Sequence, residues 1–330
     1  MIEYYHRNTH STLADASAIN PIIHRRAKWR NALNTWLIVG GMAVLLGVCG
    51  WALFGRNGAI VAVTVAVFLS ILSPRVSPAM VLRLFNARPI VPEQAPQLFR
   101  ILVVLAKRAD LPSTPRLYYV ASSNMNAFAV GSPTESAITV TDGLLRALNL
   151  RQLTGVLAHE ISHISNEDLR VMGLADMVGR LTNAMQSIGL VLMLFGFWQG
   201  GSMVVAAIVL MMAPAIGTYL QLALSRSREY DADLGAAHLT GDPIGLASAL
   251  HTLHTRQGGV WESIFLPGGR TPDPSILRTH PKPEDRIARL MELQAQPTDD
   301  LPIDETPVAL PTVLMPVLKP PRYHFSGFWY

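Results

Sequence analysis

Charge is scarce in this sequence: Asp, Glu, Lys and Arg make up 15% of its 330 residues, whereas hydrophobic residues make up 50%. An ordinary soluble domain carries about 25% charged residues, so this composition excludes one and points to membrane spans. Cysteine is nearly absent. Cys49 stands alone in an apolar run, which excludes a disulfide within the chain and any cysteine-based metal site. Basic residues do not cluster with aromatics but flank apolar segments, and the net charge is only +4, so no nucleic-acid footprint is present. The basic block at residues 24–30 does not read as the start of a signal peptide. The apolar run after it is too long for one, a second run follows at once, and no small-residue cleavage site separates them.

What the sequence does contain is four apolar stretches. Residues 35–54 and 58–72 read as a helical hairpin joined at Gly55-Arg56-Asn57. The first is long enough for a hydrocarbon core of ~30 Å and the second is near the lower limit. Residues 181–198 and 203–224 read as a second hairpin across the uncharged Gln199-Gly200-Gly201-Ser202, with Pro214 interrupting its return. Arg75, Arg83, Arg88, Arg170, Arg180, Arg226 and Arg228 load the outer flanks. The positive-inside rule therefore predicts a multi-pass protein of the cell's inner membrane, both termini and the intervening polar region being cytoplasmic. The expected organisation is a basic segment (1–34), a first hairpin (35–73), a water-facing part (74–180), a second hairpin (181–224), a second water-facing part (225–295) and a flexible Pro-rich tail (296–330).

Within the first water-facing part, helical spacing of Leu98, Ile101, Leu102 and Leu105 predicts an amphipathic helix over 94–109. Residues 116–121, 127–130 and 137–141 read as strands, the last two joined by a turn-rich connection. A short helix is expected from Asp142 and a longer one from Leu150, capped by Asn149 with Gln152 at the reciprocal position.

That longer helix carries His159, Glu160 and His163, the pattern H-E-x-x-H. Residues four apart on a helix lie one above the other, so both imidazoles can reach one tetrahedral ion. Glu160 is placed beside them to accept a proton from a metal-bound water. Leu153, Val156, Leu157, Ile161 and Ile164 form a separate core stripe, which leaves the histidines on another, water-facing side. Arg151, Gln152, Glu167, Asp168 and Arg170 crowd the helix, a density of polar and ionisable groups that excludes a position inside hydrocarbon.

Zinc used for hydrolysis takes three protein ligands and keeps one position open. Glu167, Asp168, Glu229, Asp231, Asp233, His238 and His280 are the candidates for the third. Three ligands stacked on one straight helix cannot easily surround an ion, so a residue from another helix is favoured. Glu229 and Asp233 share a helix face just after the second hairpin, where one can ligate while the other orients a histidine.

Several segments together resemble the HtpX-like membrane metalloproteases, relatives of the type I CAAX prenyl proteases. HEISHISNED at the zinc helix, SRSREYDAD at residues 225–233, NAFAVG at 126–131 followed by ITVTDGLL, and THPKPEDRIARL at 279–290 occur in the family's order. The resemblance covers roughly residues 80–293. It implies one zinc ion per chain held by His159, His163 and Glu229, with Glu160 as general base and Asp233 behind a histidine. It also implies an α+β zincin-like catalytic domain, mainly α with a small β-sheet, joined to about four spans in two hairpins. Asn126, Ala127, Phe128, Ala129 and Gly131 would form an edge strand that binds extended polypeptide. His280 would donate a hydrogen bond to the tetrahedral oxyanion, and Arg286 would pair with an acidic partner in the fold.

On an unbroken helix Asp168 points about 140° away from His163 and Asn166 only about 60° away. The expectation is therefore a capping or packing role for Asp168 and a place near the site for Asn166. The leading reading is a membrane zinc endopeptidase acting on membrane-associated or misfolded polypeptides. Its rivals are a prenyl-protein protease, which needs a large enclosed chamber, and a membrane zinc-binding protein without hydrolysis, which has no use for Glu160. The sequence leaves oligomeric state open.

Overall fold

The first long helix, α1 (Pro21–Leu72), leaves helical geometry at Phe54 (φ −134°, ψ 20°) and Gly55 (φ 61°, ψ −147°). Beyond that point the chain doubles back. A Cβ on Gly50 would lie 2.4 Å from the carbonyl oxygen of Gly58, and one on Gly58 would lie 2.1 Å from that of Gly50. Only glycines let the two backbones approach so closely. The expected hairpin is thus present, with its reversal at Phe54 and Gly55 in place of a three-residue loop.

The structure, a computed structural model, describes residues 21–72, 77–196, 201–257, 283–293, 301 and 306–308. Two further long helices are α6 (Asp168–Gly196) and α7 (Gly201–Thr240). Among the described residues three helical segments are long and apolar enough to cross a membrane: Thr35–Phe68, Asp168–Phe195 and Met203–Thr240. The four apolar stretches therefore lie on three helices, the first folded on itself. The expected borders at 180/181 and 224/225 fall inside α6 and α7, which run without interruption from apolar sequence to polar sequence. Pro214 stands within α7 without ending it. Met42, Leu46, Ala175, Val178 and Leu224 form a buried cluster that joins α1, α6 and α7. Outward-facing side chains of these helices, such as Trp51, Phe195 and Tyr219, are exposed, an apolar exterior suited to lipid.

The remaining elements are α2 (Pro78–Leu84), β1 (Arg88–Pro89), α3 (Pro96–Arg108), β2 (Arg116–Val120), β3 (Ala127–Ser132), β4 (Glu135–Thr141), α4 (Asp142–Ala147), α5 (Leu150–Ser165), α8 (Pro243–Gln257) and α9 (Pro283–Met291). The four strands run in the order β1-β2-β4-β3, with β2 parallel to β4 and the other pairs antiparallel. β3 is outermost. Its hairpin with β4 pairs Ala127 with Val140 and Ser132 with Glu135. Gly131 at φ +103° permits the turn, because a Cβ there would meet the carbonyl of Glu135 at 2.1 Å.

The main apolar core among the described residues lies between the sheet, α3 and α5, and includes Leu102, Leu105, Ile138, Leu144, Leu153, Leu157 and Ile161. Leu82 of α2 and Phe85, the residue that caps it, pack with Phe128 and Val130 in a further cluster. α5 begins where local chemistry requires. Asn149 Oδ1 accepts from the Gln152 amide at 2.9 Å while Gln152 Oε1 accepts from the Asn149 amide at 3.1 Å. Such a capping box satisfies two of the N–H groups that a helix start leaves unpaired.

The tail is not a free extension at the positions described. Leu301 and Val308 are buried in the main core, and the Leu150 amide donates to the Thr306 carbonyl at 2.9 Å beside a bridge between Asn149 and Pro307. The reading of residues 296–330 as flexible does not hold there, because these apolar side chains cover the start of α5.

Candidate metal centre

α5 is buried on nearly every side. His159 and Glu160 are 6% and 9% exposed, so the face expected to meet water instead meets α7 and α9. The approach of α7 depends on small residues. Ala232 and Ala236 are fully buried, and a Cβ on Gly235 would stand 2.1 Å from Ser162 Oγ. Ser162 lies between the two histidines, so this contact sets Glu229 and Asp233 of α7 opposite them.

The imidazoles of His159 and His163 meet edge to face with Nε2 atoms 3.1 Å apart. Each ring is held from behind. His163 Nδ1 lies 2.8 Å from Asp168 Oδ2, and His159 Nδ1 lies 3.1 Å from Asp233 Oδ1. Protons on both Nδ1 atoms, donated to these carboxylates, leave both Nε2 lone pairs aimed into one space. Glu229 closes that space, with Oε2 3.5 Å from His159 Nε2 and Oε1 3.7 Å from His163 Nε2. One ligand atom from each of the three residues fits within 4.8 Å of the others.

This donor set fits zinc. With Zn–N distances of ~2.0–2.1 Å and tetrahedral angles, two ligating nitrogens stand ~3.3 Å apart, close to the separation seen. Two imidazoles and one carboxylate also form a ligand set that leaves a position open. Histidines that donate through Nδ1 to carboxylates are the usual way such ligands are oriented.

Arg286 of α9 completes the enclosure. Its Nε and Nη2 donate to Asp233 at 2.8 and 2.6 Å, and its Nη1 lies 3.1 Å from Glu229 Oε2. Burial opposes the guanidinium charge, but Asp233, Glu229 and Glu160 hold its pKa above the usual arginine value. Burial likewise opposes charge on His159, yet hydrogen bonds to Asp233 and Glu229 outweigh it and push that pKa up to about 9. His163 is also raised, burial being overcome chiefly by Asp168. Without a cation, then, the carboxylates draw protons onto the histidines.

Asp168 departs from the unbroken-helix expectation. α5 stops at Ser165, and Glu167 takes a left-handed conformation at φ +53° before α6 begins. That break swings Asp168 back towards His163. Asn166 is the C-cap of α5 and donates to Ser162 Oγ at 3.4 Å. Sequence reasoning gives Arg228 only a membrane-flank role, although its Nη1 donates to Asp168 Oδ1 at 3.2 Å. The signal that identifies it is the need of a buried carboxylate for a cation.

Asn126 is tied to β4 by its amide, which donates to Thr141 Oγ1 at 2.9 Å, and by its carbonyl, which accepts from the Thr141 amide at 3.1 Å. By antiparallel alternation Ala127, Ala129 and Gly131 then turn their amides and carbonyls to the outer edge of the sheet, while Phe128 faces β4. β3 packs directly on α5, so this edge borders the metal-ligating helix. His280 lies outside the described residues.

Residues 92–294 match the model of Peptidase family M48. The chain is 33% identical over 280 residues to a Protease HtpX homolog of Burkholderia thailandensis, covering 80% of this chain and 97% of that protein. A Protease HtpX homolog of Paraburkholderia phytofirmans is 32% identical over the same coverage.

Proposed function

The chain belongs to peptidase family M48, and from that premise we propose a membrane-embedded zinc endopeptidase with Glu160 as general base. The observation that carries the reading is the convergence of His159 Nε2, His163 Nε2 and Glu229 next to Glu160, each imidazole backed by its own carboxylate. When bound, zinc supplies a Lewis acid that lowers the pKa of water towards ~7 and polarises a carbonyl.

The chain's own residues carry the remaining steps. Glu160 takes the proton of the attacking water and passes it to the leaving amine. Asp233 and Asp168 keep the two imidazoles aimed, and Arg286 fixes both Asp233 and Glu229. The open edge of β3 holds the substrate as an added strand through Ala127, Ala129 and Gly131. Backbone pairing of this kind makes little demand on side chains, which suits unfolded or misfolded membrane-associated polypeptides. His280 remains a proposed donor to the oxyanion. The flanking arginines favour an inner-membrane orientation with the site and both termini in the cytoplasm.

The test is purification with and without Glu160→Gln, followed by metal analysis and cleavage of an unfolded polypeptide. Zinc content should be equal, and cleavage should fall by about 10²–10⁴-fold. Equal zinc with equal cleavage would overturn the mechanism.

A further inference from the structure

Arg228 is a side chain that the mechanism above does not use. It stands immediately before Glu229 on α7, and its side chain is 11% exposed. Two segments remote in sequence and one residue of its own helix meet on its two terminal nitrogens. Nη1 donates to Asp168 Oδ1 at 3.2 Å, Nη2 pairs with Asp231 Oδ2 at 2.7 Å, and Nη2 also donates to Thr35 Oγ1. Asp168 is 2% exposed, and its other oxygen is the one that meets His163 Nδ1.

The geometry points to Arg228 as a positioning residue that ties the seating of the first membrane hairpin to the aim of His163. Thr35 opens the span Thr35–Phe68, so the chain Thr35, Arg228, Asp168, His163 runs from the start of a membrane helix to the metal site. Each link is made of buried or half-buried polar groups. A carboxylate buried like Asp168 also needs a fixed cation to hold its two oxygens in place. Arginine suits the task because its planar fork holds several acceptors in set directions, which the point charge of lysine cannot do. A shift of α1 against α7 would move the guanidinium, then Asp168, and with it the imidazole. Because Arg228 adjoins Glu229 on the same helix turn, the same shift would reach a second ligand.

This inference rests on the proposed metal role of His163. Its test therefore reads metal binding and not proteolysis, in a Glu160→Gln background that prevents self-digestion. Zinc affinity is measured by chelator competition, and the geometry of the site by the visible absorption of the cobalt(II) form. The parent is compared with Arg228→Lys, Thr35→Val and Thr35→Ser, and the metal-free melting temperature of each controls for folding. Arg228→Lys is expected to weaken zinc about 10–100-fold, the usual effect of losing a partner behind a metal ligand, and to shift the cobalt bands. Thr35→Val, equal in shape but without the hydroxyl, should weaken zinc in the same direction with unchanged metal-free melting, and Thr35→Ser should restore the parental value. Parental affinity and cobalt bands in Arg228→Lys would overturn the inference. So would equal losses in Thr35→Val and Thr35→Ser, which would assign Thr35 a packing role. A parent that binds no zinc would overturn both this inference and the proposed function, whereas a zinc-binding parent with indifferent variants would overturn the inference alone.

Discussion

Gly235 of α7 lies so close to Ser162 of α5 that a Cβ on the glycine would stand 2.1 Å from the serine oxygen and 2.9 Å from its Cβ. The contact falls between the two metal-ligating histidines in sequence and two residues beyond Asp233, so it sets the distance between the two halves of the site. Gly235→Ala should push the helices apart, costing about 1–3 kcal/mol of stability and reducing zinc affinity. Adding Ser162→Ala removes the nearer atom and should recover part of both. Zinc titration of the single and double variants checks this, and a Gly235→Ala protein with parental affinity would show that the spacing is not critical.

Arg286 and Asp233 are each 5% exposed and joined by two hydrogen bonds of 2.8 and 2.6 Å. Breaking one side of such a pair leaves the other charge buried, at a cost of about 3–5 kcal/mol. Arg286→Met should therefore destabilise the metal-free protein by that amount, with Glu229 also losing its counter-charge. Arg286→Met combined with Asp233→Asn should destabilise less than Arg286→Met alone. Denaturant unfolding in detergent measures both, and strict additivity of the two losses would contradict the pairing.

Removing Glu229 tests the other half of the donor set. Glu229→Ala leaves His159 and His163 oriented by Asp233 and Asp168 but takes away the only carboxylate facing both Nε2 atoms among the described residues. Zinc should no longer co-purify, whereas Glu160→Gln retains it. Retention of stoichiometric zinc by Glu229→Ala would disqualify Glu229 as a ligand.

The features legible in the sequence are those fixed within a few residues. Asn149 and Gln152 announce the start of α5 because a capping box is closed over one turn. The stripe from Leu153 to Ile164 marks its core face because periodicity is local, and Gly55 marks the turn of α1 because a reversal needs a left-handed residue. What the sequence hides depends on a break or on distance. Asp168 reaches His163 only because Glu167, a residue with no special tolerance for positive φ, adopts +53°, and continuing the helix in the mind's eye sends Asp168 the wrong way. Arg228 reaches Asp168 across 60 residues and a membrane hairpin. Leu301 and Val308 look like isolated apolar residues among prolines, and only the packed core shows what they cover.

The charge state of His159 gives a last prediction with opposite signs for the metal-free and metal-bound protein. In the metal-free fold its pKa is pushed up to about 9 from 6.5, burial being outweighed by Asp233 and Glu229. A raised histidine stabilises the fold fully below the unfolded value of 6.5 and loses that contribution as pH rises through about 9. Zinc instead takes the neutral imidazole, so binding must expel the proton from Nε2. Zinc affinity should therefore rise about tenfold per pH unit from His159 alone as pH climbs towards 9. Metal-free stability should fall across the same interval. Asp233→Asn removes one of the groups that raise the histidine, so both transitions should end at lower pH. Chelator-buffered zinc titrations between pH 7 and 9, paired with unfolding of the metal-free protein, give the two slopes. A flat zinc affinity over that interval would mean that His159 is already neutral, and that its carboxylates serve orientation alone.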